Sequence, residues 1–120
     1  MKYLIMIYGN NDVWGAYAPE DFDALIAEDA AFQAELRASG ELITVGGLAD
    51  PVNARTVRVR DGVPVVSDGP YLEAKEFLAS FVLIDVADHE RAVEVAASYP
   101  VARRHGVELW PLMDEAGAEM

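Results

Sequence analysis

Two segments of this chain lack a polar side. In Tyr3 to Tyr8 (YLIMIY), a strand would point Tyr3, Ile5 and Ile7 one way and Leu4, Met6 and Tyr8 the other. In Phe77 to Val86 (FLASFVLIDV), Phe81 and Leu83 oppose Val82, Ile84 and Val86. An antiparallel sheet with helices on one face should instead alternate apolar with polar residues. Leaving about six such side chains wet costs roughly 1.5–3 kcal/mol each relative to burial. A domain's whole stability is only about 5–15 kcal/mol. The strands therefore predict a second copy whose sheet packs on the uncovered face, a homodimer. The alternative, a third helix or a folded loop over that face, would have to come from short flanking segments.

The remaining elements follow from local chemistry. Gly9-Asn10-Asn11-Asp12 reads as a turn closing the first strand. Pro19, followed by Glu20 and Asp21, marks a helix start, and Ser39-Gly40 its end, so a helix is expected from about Pro19 to Ala38. Tyr17 and Phe22 have the spacing of a hydrophobic staple around Ala18. Leu42 to Leu48 reads as a strand weakened by Gly46 and Gly47. Thr56 to Arg60 and Val63 to Ser67 flank Asp61-Gly62, a hairpin, with Pro64 marking an edge. After the Phe77 to Val86 strand, Asp88 caps a helix to about Tyr99, stopped by Pro100. Val107 to Met113 is a last strand, and Asp114 to Met120 an acidic tail expected to fray. With the hairpin as an insertion, the order is βαββαβ: a single α+β domain over residues 1–120 on the ferredoxin-like plan, an antiparallel sheet with two helices on one face.

Composition excludes several classes. Nine Lys and Arg against twenty-one Asp and Glu give a formal charge of −12, which repels phosphate backbones. Zero Cys removes disulfides and thiol chemistry. Neither the spacing of the two His nor the carboxylate clusters match a metal site, and no cofactor fingerprint occurs. The first apolar run is too short to span a bilayer and lacks a signal-peptide pattern, so the expectation is a soluble cytoplasmic protein.

Candidate chemistry is sparse. On a helix at 100° per residue, Asp29 lies on the apolar stripe of Leu25, Phe32 and Leu36. A carboxylate facing the sheet must have a raised pKa or a bound donor, which marks it as a site residue, unless the helix rotates or bends enough to wet it. Arg58 and Arg60 are either a solvated edge or point at an anionic substrate or at Asp68. His105, in Arg103-Arg104-His105-Gly106, is either an ordinary loop residue or an anion-binding proton carrier. His89 is expected to be exposed and uninvolved in catalysis. Tyr8 and Trp14 are the aromatic candidates for contacting an apolar ligand; Trp14 and Tyr17 are equally readable as loop packing.

SDGPYLEAKEF at Ser67 to Phe77, together with KYLIMIYG, ADPVNARTVRVRDG and VELWPLMD, resembles the YCII-related family in its DGPF branch, and the match spans nearly the whole chain. Tyr71 stands where the branch name has Phe, and Ala74 where Thr is usual. The resemblance implies a ferredoxin-like subunit of a dimeric α+β barrel. Some relatives look like small enzymes with a His/Asp pair in a cleft, and one branch removes chloride from a hydroxylated aromatic compound. DGPF members are often encoded beside extracytoplasmic-function sigma factors, which implies as an alternative a non-catalytic regulatory role in that pathway. The family's helix histidine would fall near Asp29, where this chain has none. Asp68, Gly69, Pro70, Glu73 and Lys75 carry over as motif positions. The combined expectation is a small-molecule site in a sheet–helix cleft, with isomerase- or lyase-like proton transfer by Asp29 and Asp68 and with Arg58, Lys75, His105, Tyr8 and Trp14 contacting substrate.

Overall fold

The computed structural model describes residues 1–70, 76–104 and 106–114. Tyr71, Glu73, Lys75 and His105, and the acidic tail beyond Asp114, lie outside the described residues, so the expectations placed on them receive no structural account.

The first apolar run becomes β1 (Lys2–Gly9), and the second becomes β5 (Phe77–Asp85). These two pair antiparallel along nearly their whole length at the centre of a four-stranded sheet. The sheet is completed by β2 (Leu42–Gly47) beside β5 and β6 (Val107–Pro111) beside β1, giving the order β2-β5-β1-β6. This is the ferredoxin-like order expected once the hairpin is set aside. The hairpin, β3 (Arg55–Arg60) and β4 (Val63–Asp68), forms a separate two-stranded sheet. Its turn residues Asp61 and Gly62 take positive φ values of 52° and 77°, as a tight hairpin turn demands.

Tyr3, Ile5 and Ile7 of β1 and Val82 and Ile84 of β5 are buried with Val86 in one core. The helix layer adds Leu36 of α2 (Pro19–Ser39) and Ala92, Val95 and Ala96 of α3 (His89–Ser98). Period 2 then sends Leu4, Met6, Phe81 and Leu83 to the opposite face, where they are half-buried in the single chain. Cross-strand register puts Leu4 between Leu83 and Trp110, and Met6 between Phe81 and Glu108. Trp110 on this face remains 56% exposed.

Helix ends obey their capping chemistry. Pro19 opens α2 behind Ala18, and the Tyr17 and Phe22 rings meet at 6.3 Å. Gly40 ends the helix with φ at 80°. The Asp88 side chain accepts from the Arg91 backbone N–H at 2.8 Å and caps α3. The Arg91 guanidinium then forks onto both Glu41 oxygens at 2.8 Å, tying α3 to the α2–β2 turn.

One local expectation needs correction. Asn11–Trp14 is a one-turn helix, α1, instead of a plain turn, because the Asn10 side chain accepts from the Asp12 N–H at 2.9 Å and starts it. As expected, α3 stops just before Pro100, at Ser98; Pro100 then opens a separate 3-10 turn, Pro100–Arg103. Pro51 opens another, Pro51–Asn53, capped by Asp50. A proline forbids continuation of the preceding helix but suits the first position of a new turn.

Gly9 is required by close packing. A Cβ there would lie 2.6 Å from Trp14 and 2.9 Å from Phe77, two rings that themselves meet edge to face at 5.7 Å. Gly9→Ala should destabilise the protein by about 1–3 kcal/mol. Urea unfolding would show this as a lowered midpoint with the slope unchanged; an unaltered midpoint would mean the Trp14 loop is not packed this way.

Candidate functional site

A cavity of about 580 Å³ opens where β1 ends, β5 begins and the β2–β3 connection turns. Leu48, Pro51, Ala54, Phe77 and Leu78 give it apolar walls, Pro70 of the Asp-Gly-Pro string stands at one side, and Tyr8 supplies a phenol. The size and lining are those of a small-molecule pocket. The hairpin base forms part of its rim: the Gly69 N–H donates to the Ala54 carbonyl at 2.9 Å, and the Thr56 hydroxyl donates to the Gly69 carbonyl at 3.0 Å. Gly69 has φ at 86°, which explains a glycine at that place in the motif.

The Tyr8 hydroxyl is oriented from the sheet. It donates to Glu108 Oε2 at 3.1 Å, and Trp110 Nε1 donates to the same oxygen at 3.0 Å. Partial burial, followed by the Glu108 hydrogen bond and charge, pushes the Tyr8 phenol above its ordinary pKa. With its hydrogen turned to Glu108, the phenol oxygen keeps lone pairs that can accept from a donor.

Asp29 occupies a second neighbourhood, between α2 and the Pro100–Arg103 turn. Its Oδ1 is buried without a hydrogen-bond partner. Burial raises its pKa first, the Glu28 charge adds to the rise, and Arg103 opposes it; Arg103 is itself paired with Glu28 at 2.5 Å. Nearby, the Tyr99 hydroxyl accepts from Gln33 Nε2 at 2.9 Å, the Tyr99 ring meets Phe32 edge on at 5.2 Å, and burial raises the Tyr99 pKa.

The expected site residues are thus not drawn into one cleft. Tyr8 lines the cavity, whereas Asp29 sits in the helix layer and is not among the lining residues. Asp68 ends β4 with a side chain 96% exposed and pairs with Arg55 at 3.4 Å. The hairpin is a sheet of its own, which is why Asp68 and Asp29 fall on different parts of the chain. Arg58 lies on the same hairpin opposite Val65, and not among the cavity residues. Trp14 packs on Phe22 and Phe77 and touches the cavity only through the Phe77 ring that it supports. His89 is exposed at the start of α3, with Nδ1 3.3 Å from the Tyr3 hydroxyl. Sequence reasoning missed Glu108, Gln33, Tyr99 and the whole 48–54 segment. For Glu108, the signal was a single charge inside VELWP, on a strand otherwise apolar.

Among the described residues, no cluster of three or more His, Asp or Glu is placed to hold a metal ion, and no helix is long and apolar enough to cross a membrane.

The model of the YCII-related domain matches residues 1–115. This chain belongs to that family. It is 32% identical over 96 residues to an uncharacterised protein of Rhizobium meliloti (strain 1021), covering 80% of this chain and 77% of that one. Among solved structures it is similar to the 5-chloro-2-hydroxyhydroquinone dehydrochlorinase of Burkholderia phenoliruptrix AC1100 in complex with 2,5-dihydroxybenzoquinone. That match has 13% identity and a TM-score of 0.48, over 99% of this chain and 100% of the other.

The raised Asp29 pKa has a stability consequence. A carboxyl whose folded pKa lies above its unfolded value holds its proton more tightly when folded, so stability falls as pH rises from the unfolded value, near 3.8, through the folded one. Asp29→Asn removes that penalty. The variant should have a higher urea midpoint than the parent at pH 7, with the gap closing by about pH 3.5; a gap that is constant with pH would show that Asp29 is solvated.

Proposed function

We propose that this YCII-related protein binds a small, mostly apolar molecule carrying a hydrogen-bond donor, in the cavity beside Tyr8. The carrying observation is the cavity itself: apolar walls around one phenol whose hydrogen is committed elsewhere. A ligand hydroxyl seated there would find an acceptor in Tyr8, and its hydrocarbon body would lie against Phe77, Leu78 and Ala54. The rim carboxylates Asp50 and Glu76 disfavour an anionic ligand.

The second reading is proton transfer of the isomerase or lyase kind, and it is favoured by the unpartnered Asp29 Oδ1. A carboxyl with a raised pKa can give and take a proton nearer neutral pH than an ordinary one. Because Asp29 stands apart from the cavity, binding is the reading that the geometry supports best. Asp68, being solvated, is no longer included.

The working unit in this proposal is a homodimer. Leu4, Met6, Phe81 and Leu83 form a half-exposed apolar sheet face, extended by Trp110, and a second copy laid on it would bury both faces at once.

Phenol is a suitable probe for the cavity. Calorimetric titration should show binding to the wild type, a loss of affinity of about two- to tenfold for Tyr8→Phe, which deletes the acceptor, and no binding to Ala54→Phe, which fills the space. Equal affinity for all three proteins would place the ligand elsewhere.

A further inference from the structure

The polar groups that face the cavity are chemically one-sided. Asp50 and Glu76 bring carboxylates, Tyr8 a phenol oxygen and Asn53 an amide, and among the described residues no Lys, Arg or His lines the space. Because the Tyr8 hydrogen goes to Glu108, the Asn53 amide alone of these side chains has hydrogens to offer. Asp50 spends Oδ1 on the Val52 N–H at 2.9 Å, which leaves its second oxygen. Glu76 has no ion pair among the described residues.

A third carboxylate stands behind the phenol. Glu108 lies one hydrogen bond from the cavity through Tyr8, and a phenol that donates to a carboxylate becomes a stronger acceptor in its turn. Arg55 lies beside the same wall but is turned elsewhere: its guanidinium donates to the Val52 and Ala54 carbonyls at 3.1 and 2.8 Å and sits 3.4 Å from Asp68. A neutral hydroxyl has one hydrogen to give and leaves the carboxylates uncompensated. A primary ammonium has three, with a charge of the sign that these oxygens favour. The apolar walls of Leu48, Phe77 and Leu78 in turn require a hydrocarbon body on that ammonium.

We infer that the ligand class of this cavity is a primary amine on an apolar or aromatic body, its ammonium held by the Tyr8 hydroxyl oxygen and the carboxylates of Asp50 and Glu76. The inference rests on the cavity being the binding site proposed above, and adds to it the sign of the ligand's charge. A chain of net charge −12 attracts any cation weakly over its whole surface. Selection at the cavity differs in that the hydrocarbon and the ammonium are seated together.

The test compares three probes of one shape by calorimetric titration at neutral pH and low salt: phenylethylamine, a cation, its neutral isostere phenylethanol, and the anion phenylpropionate. The amine should bind the wild type at least about fivefold more tightly than the alcohol, the anion should not bind, and added salt should narrow the preference. In the double variant Asp50→Asn with Glu76→Gln, where Asn can still cap the Pro51 turn, the two affinities should come within about twofold of each other. Asp23→Asn with Glu35→Gln removes the same two charges from exposed positions on α2 and should keep the preference. Equal affinity for amine and alcohol in the wild type, both lost in Ala54→Phe, overturns the inference and leaves the cavity reading standing. A preference that survives in the double variant also overturns it. So does amine binding undiminished in Ala54→Phe, which would place the cation on the acidic surface. Failure of amine and alcohol alike to bind rejects the cavity reading and this inference with it.

Discussion

The constraint on which the rest depends is the pairing of β1 with β5, two strands apolar on both sides. Side by side at the middle of the sheet, they satisfy each other's backbone groups and present two apolar faces. The fold covers one of these with α2 and α3, and there Ile5, Val82 and Ile84 are fully buried. Among the described residues, nothing covers the other face in that way in the single chain. The thinness of the molecule, the half-exposed Leu4, Met6, Phe81 and Leu83, and the exposed Trp110 are consequences of that one fact.

Chemistry is distributed in the same way. The few polar groups that enter apolar surroundings are each controlled by a named neighbour or left conspicuously without one. Glu108 takes two donors, Tyr8 and Trp110, and so directs the phenol that lines the cavity. Asp29 lacks a donor at Oδ1 and is pushed toward its neutral form by burial. The first arrangement fixes an orientation and suits recognition, whereas the second holds a proton and suits transfer. A chain with a cavity at one place and a perturbed carboxyl at another is therefore read first as a binder.

Much of the fold was legible because its signals were local. Pro19 and Gly40 bounded α2, Asp88 capped α3, and Asp61-Gly62 set the hairpin turn; in each case a backbone requirement admits few residue types. The one-turn helix at Asn11 and the 3-10 turns at Pro51 and Pro100 were missed because three or four residues carry no periodicity. The inward placement of Asp29 followed from helical spacing, since Leu25 and Leu36 on the same stripe are both buried. The cavity did not follow from any motif. Its walls come from Tyr8, residues 48–54 and residues 76–78, segments far apart in the chain that meet only through strand register. Asp68 misled for the opposite reason: its motif is recognisable, but the positive φ at Gly69 shapes a hairpin base and leaves the carboxylate in water.

The most direct test of the central claim is sedimentation velocity of the wild-type protein across a dilution series to below 1 µM, with circular dichroism recorded on the same samples. The proposed pairing of sheet faces predicts a folded particle of twice the 13.1 kDa chain mass. A single 13.1 kDa species that keeps its folded spectrum throughout would contradict the account, because the bare face of β1 and β5 would then be stable in water.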